Sequence, residues 1–156
     1  MRLPAWLLHP WLSIRVQLGL GAIFVVAAIP KIADPPAFAH MIYNYRLVPG
    51  VVVNVMALVL PWVELMAGLA LFVGVWKRTA TGVTGLLLLV FLVALSVNLA
   101  RGNPVNCGCF GVHAKEKSRP ELVDEMRWTI LRDIAILGMV GQVLAASKSR
   151  SEQRPV

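Results

Sequence analysis

Cys107 and Cys109 are the two cysteines of the 156-residue chain, and a single glycine separates them within the stretch NPVNCGCFG, Asn103 to Gly111. A disulfide between residues i and i+2 closes a very small ring. Its geometry departs from the preferred dihedral angle and Cα separation, so it is strained and easily reduced. Strained, exposed disulfides are the labile or catalytic ones. Gly108 permits the tight backbone excursion such a ring needs, and Pro104 and Gly111 add turn chemistry on either side. These residues point to thiol–disulfide exchange, with Cys107 and Cys109 as the catalytic pair. Lys31, Arg101, Arg127 and Arg132 are expected on the same side of the molecule as this loop. A cation beside a thiol stabilises the thiolate, the form that attacks a disulfide.

Other readings of the pair stay open. A static surface disulfide is one, although a short closed loop removes little entropy from the unfolded chain. A metal site built from Cys107, Cys109 and His113 is another, and Cu(I) is the ion such soft ligands suit. The two-residue spacing usual for zinc is absent, and His40 or a methionine would have to complete the set. Two inert thiols fit poorly with an exposed, glycine-rich loop.

The elements that must position this loop are apolar. The chain is 58% hydrophobic and 15% charged, with a mean hydropathy of +0.71. That is too little charge to cover a soluble domain of this size, and it indicates an integral membrane protein. The net charge of +7 is no sign of nucleic-acid binding. Lys and Arg collect at the edges of the apolar runs, where helices meet lipid head groups, and no basic stripe with interleaved aromatics appears.

Four runs are long enough to span a bilayer, which takes about 20 apolar residues. They cover residues 14–32, 51–76, 79–100 and 127–146. Runs of this length cross the bilayer as helices. The expected fold is all-α, a bundle of four transmembrane helices in one domain over residues 1–146, with a redox loop at 101–126 and a disordered cytoplasmic tail at 147–156. The Ala37–Ala39 stretch AFA resembles a signal-peptidase site, but Pro30, Lys31, Asp34, Pro35 and Pro36 separate it from the preceding apolar run.

Four helices put both termini on one side and the cysteine loop on the other. Lys and Arg are nearly balanced across the two sides, so the positive-inside rule decides little. The short second connection carries the adjacent pair Lys77–Arg78, and most acidic loop residues lie on the cysteine side. Disulfides persist outside the cytoplasm. The expected arrangement is a bacterial inner membrane protein with both termini cytoplasmic and the cysteine loop periplasmic.

Glu64 is the acid deep in an apolar helix. An ionisable group there is costly and is usually functional or paired. One reading is a proton relay or a quinone contact. The other is a hydrogen bond that fixes helix packing, with Gln17 or Gln142 as partner. Its depth excludes direct contact with the cysteine loop. Arg132 and Asp133, expected in the first turns of the last helix, read as a local ion pair. The glycines at positions 19, 21, 68, 82, 85, 138 and 141 are expected to let helices approach closely.

The stretches GAIFVVAAIPKIADPPAF and ELMAGLALFVGVWKRTATG resemble the helix signatures of DoxX-like membrane proteins, and NPVNCGCFG resembles the loop of the MauE branch of that redox-associated family. The resemblance covers Arg15 to Gly111 well and the last helix loosely. It implies a four-helix membrane protein that works with a periplasmic thioredoxin-like partner, in the maturation of a disulfide-rich protein, with quinone as an electron acceptor among wider relatives. Cys107 and Cys109 match the motif, and Glu64 matches the acid of the second-helix pattern. The rival class is a non-catalytic accessory or assembly subunit of a larger membrane complex, its disulfide fixing a docking loop. The mixed-charge stretch HAKEKSRPELVDEMR is a candidate partner surface or a solvated, partly helical connection.

Overall fold

The structure, a computed structural model, describes residues 10–105 and 118–152. Five helices account for nearly all of them: α1 Pro10–Ala33, α2 Pro35–Asn44, α3 Gly50–Val73, α4 Lys77–Ala100 and α5 Arg119–Glu152. Four of these (α1, α3, α4 and α5) are long and apolar enough to cross a membrane. Between 22% and 33% of each apolar window is buried inside the molecule. The outward faces carry exposed Val55, Leu58, Trp62, Phe72, Leu86 and Ile134. Such faces are stable only against lipid, so the chain is a multi-pass membrane protein, as its composition implied.

The long helices form a ring. α1 packs on α3 and α5, α4 packs on α3 and α5, and α2 lies chiefly against α3. The α1–α3 contact is the tightest because both helices offer glycine. A Cβ on Gly21 would lie 2.8 Å from the carbonyl oxygen of Gly68 and 3.0 Å from the amide nitrogen of Phe72. Gly85 likewise makes room for Val140 of α5. Close packing therefore holds at Gly21, Gly68 and Gly85. It does not hold at Gly19, Gly82, Gly138 or Gly141, where an added Cβ would meet no atom within 4 Å.

Several boundaries differ from those expected. Residues 35–44 form α2 rather than a connection. Asp34 caps it, with its Oδ1 accepting from the Ala37 amide at 3.0 Å. Pro35 and Pro36 fill the first turn, where no backbone donor is needed. The prolines that look like a break thus start a helix. Second, α3 ends at Val73 rather than residue 76, because Gly74 takes a left-handed conformation (φ 81°) and its amide closes on Ala70.

Third, α5 begins at Arg119, not at residue 127, so most of the expected loop over 101–126 is helix or lies outside the described residues. Ser118 and Glu121 have the spacing of a capping box, and the Ser118 amide donates to Glu121 Oε2 at 2.9 Å. α5 also continues to Glu152, past the point where a disordered tail was expected. An established helix extends cheaply, and SKSRSE contains neither glycine nor proline to stop it.

The interior is layered. Toward the chain termini, Leu20, Leu71, Ala80, Val140 and Val143 form one apolar cluster. Toward the cysteine loop, Tyr45, Leu95, Val105 and Met126 form another. Polar residues lie between them.

Candidate functional site

The residues that bracket the cysteine loop are tied to the bundle. Val105 is buried, and its amide donates to Met126 Sδ at 3.4 Å. Arg119, at the start of α5, donates to the Gly102 carbonyl at 2.9 Å. The loop therefore leaves and rejoins the bundle at one fixed end, between α4 and α5. Cys107, Cys109 and His113 lie outside the described residues. Arg101 is exposed at the C-cap of α4, on the edge of this loop.

Arg127 is exposed on α5, and the other two cations expected beside the thiols, Lys31 and Arg132, are engaged in ion pairs. The α1–α3 register brings Lys31 opposite the middle of α3. The Lys31 ammonium donates to both oxygens of Glu64, at 2.8 Å to Oε1 and 2.6 Å to Oε2. Both side chains are nearly buried, at 10% and 13% exposure. The ammonium also lies 5.4 Å from the centre of the Phe38 ring of α2, a cation–π distance. Neither glutamine was needed as a partner for Glu64, and Gln17 instead donates to the Leu71 carbonyl. Glu64 is fourteen residues into α3, about 21 Å along its axis at 1.5 Å per residue.

Arg132 and Asp133 form the expected local pair, but deeper than expected. The earlier start of α5 puts Asp133 fourteen residues in, again about 21 Å along the axis. Arg132 Nε and Nη2 both donate to Asp133 Oδ1, at 3.1 and 3.0 Å. Asp133 is 1% exposed.

The two pairs meet at one cleft of about 70 Å³. Its polar lining is Lys31, Glu64, Arg132 and Asp133, and Phe24, Leu88 and Phe91 are among its apolar walls. About 10–15 Å³ of such space holds a water, so the cleft has room for a few. Charged groups inside a bilayer are tolerated when they pair or face a hydrated cavity, and here they pair and line a cleft with room for water. Glu64 and Asp133 stood out in the sequence as polar residues in apolar helices. Their convergence did not, because a helix's own sequence carries no register with its neighbours. Among the described residues, no three His, Cys, Asp or Glu side chains converge on a metal-sized site.

The family model described as methylamine utilisation protein MauE matches residues 9–146, a span that holds the cysteine motif, both ion pairs and nearly all of the four long helices. A methylamine utilization protein MauE of Methylophilus methylotrophus is 32% identical over 132 residues, covering 83% of this chain and 66% of its own length. One of Paracoccus denitrificans is 32% identical over 148 residues, covering 94% and 78% respectively. One of Methylorubrum extorquens is 36% identical over 114 residues, covering 72% and 61%. The chain thus spans about two thirds of the length of these curated relatives. No solved structure matches it.

Proposed function

The chain belongs to the MauE family of methylamine utilisation membrane proteins, and from that premise we propose that it is a thiol–disulfide exchange component of the bacterial inner membrane. Cys107 and Cys109 exchange a disulfide with a periplasmic thioredoxin-like partner and so support maturation of a disulfide-rich protein of methylamine utilisation. The observation that carries this reading is the Cys-Gly-Cys pair itself. It supplies all of the chain's cysteines, in a glycine-rich loop that leaves the bundle between the anchored residues Gly102, Val105 and Arg119.

A thiolate of the partner's dithiol attacks one sulfur of the Cys107–Cys109 disulfide and forms a mixed disulfide. The partner's second thiolate then resolves it. The partner leaves oxidised, and Cys107 and Cys109 are left as thiols carrying two electrons and two protons. Quinone is the proposed acceptor, because it dissolves in the bilayer and takes up two electrons and two protons to become quinol. Arg101, at the loop's edge, is the proposed cation that favours a thiolate. The same chemistry runs in reverse if the partner is to be reduced.

A redox titration tests this reading. The purified protein is equilibrated in graded thiol buffers, alkylated and weighed. The expected result is a reversible two-electron transition at an oxidising potential, drained by added quinone. A disulfide that resists reduction overturns the proposal in favour of a structural staple. Thiols shielded from alkylation until a chelator is added overturn it in favour of metal.

A further inference from the structure

Inside the bilayer, the two carboxylates of the cleft are satisfied to different degrees. Both oxygens of Glu64 accept from the Lys31 ammonium. Asp133 is bonded on one side only. Oδ1 takes both Arg132 bonds, while Oδ2 is fully buried with no hydrogen-bond partner among the described residues. A buried carboxylate oxygen without a donor is costly. The cost is removed by a water in the cleft, or by a proton on Oδ2.

We propose that this cleft is a proton-binding site, in which Asp133 exchanges a proton with cleft water at Oδ2. The step moves no electron. A hydronium ion gives its proton to Oδ2 and leaves as water, and deprotonation is the reverse. Asp133 is the acceptor rather than Glu64 for a geometric reason. A proton on Glu64 weakens both of its bonds to Lys31 and strands a buried ammonium. A proton on Oδ2 of Asp133 leaves both Arg132 bonds to Oδ1 in place.

The charged groups around Asp133 allow this change. α1 presents Lys31, α3 presents Glu64, α5 presents Arg132, and α4 contributes the apolar Leu87, Leu88 and Phe91. Lys31 and Glu64 cancel. Arg132 has a side chain 37% exposed, so its charge can be partly hydrated when Asp133 is neutral. The cleft then alternates between zero and one net positive charge without any buried ion losing its partner.

This inference does not rest on the thiol reading, and its test removes the thiols. The full chain carrying Cys107→Ser and Cys109→Ser is placed in lipid nanodiscs, and infrared difference spectra are recorded between acid and alkaline pH. The expected result is a buried carboxylic-acid C=O band that appears on acidification and shifts in D2O. It is lost in Asp133→Asn, displaced in frequency in Asp133→Glu, and retained in the double variant Lys31→Met, Glu64→Met, which removes the other carboxyl without stranding a cation. No buried carboxylic-acid band overturns the proposal, as does a band that survives Asp133→Asn or vanishes in the double variant Lys31→Met, Glu64→Met. If Asp133→Asn does not fold, Asp133→Glu decides, and an unmoved band in that variant overturns the proposal.

Discussion

Lys31 and Glu64, on different transmembrane helices, hold each other through both carboxylate oxygens at 2.6 and 2.8 Å. Their value to the fold lies in their being paired. Removing one partner of a buried ion pair costs about 3–5 kcal/mol, whereas replacing both with apolar side chains is often neutral or stabilising. Lys31→Met is therefore expected to lower stability by about that amount. The double variant Lys31→Met, Glu64→Met is expected to recover most of it. Equilibrium unfolding in mixed micelles measures both. A double variant as unstable as the single one would show that the pair does more than neutralise itself.

The α1–α3 register rests on two glycines, so the contact is sensitive to a single carbon. Gly21→Val places a Cβ 2.8 Å from the Gly68 carbonyl and 3.0 Å from the Phe72 amide, both backbone atoms that cannot step aside. Overpacking of this kind costs about 1–3 kcal/mol, and prising α1 from α3 also separates Lys31 from Glu64. Gly19→Ala meets no atom within 4 Å and is expected to be neutral or to stabilise by up to about 1 kcal/mol through helix propensity. The same unfolding assay compares them, and equal effects would contradict the packing described.

How much of this was legible follows from what each feature depends on. The four spans were visible because length and apolarity alone define them. The Arg132–Asp133 pair was visible because the two residues are adjacent. α2 was hidden because Pro35 and Pro36 look like an interruption, although Asp34 before them is a helix cap. The first two turns of α5 were hidden by charges, although Ser118 and Glu121 carry a start signal. The Lys31–Glu64 pair spans 33 positions and depends on Gly21 meeting Gly68. No local pattern encodes that meeting, and from the sequence alone Lys31 was expected beside the cysteines.

If Cys107 and Cys109 exchange a disulfide, either Cys→Ser variant stops the exchange without unfolding the bundle. Closing so short a ring contributes at most about 2 kcal/mol through chain entropy, and the described anchors, Val105 on Met126 and Arg119 on Gly102, involve neither sulfur. The expected outcome is loss of oxidising activity toward a thioredoxin-like dithiol substrate with a nearly unchanged melting curve. One of the two variants should trap a mixed disulfide with the partner, visible on a non-reducing gel and cleared by reductant. A large drop in stability in both variants would instead make the disulfide a staple.

The orientation can be read with the same two residues, because the chain has no other cysteine and every thiol label reports the loop. Helices α1, α3, α4 and α5 cross in alternation, so the loop between α4 and α5 shares a side with α2 and lies opposite the connection between α3 and α4. That opposite connection is tight: Gly74 and Trp76 both take left-handed conformations, and Lys77 and Arg78 open α4 directly behind them. A basic pair beside so short a turn favours the cytoplasmic side. A membrane-impermeant maleimide applied to intact, mildly reduced spheroplasts is therefore expected to label Cys107 and Cys109 fully, with no further gain on permeabilisation. Labelling that appears only after permeabilisation would put the loop in the reducing cytoplasm, where disulfides are rare, and would remove the compartment on which exchange with a periplasmic partner depends.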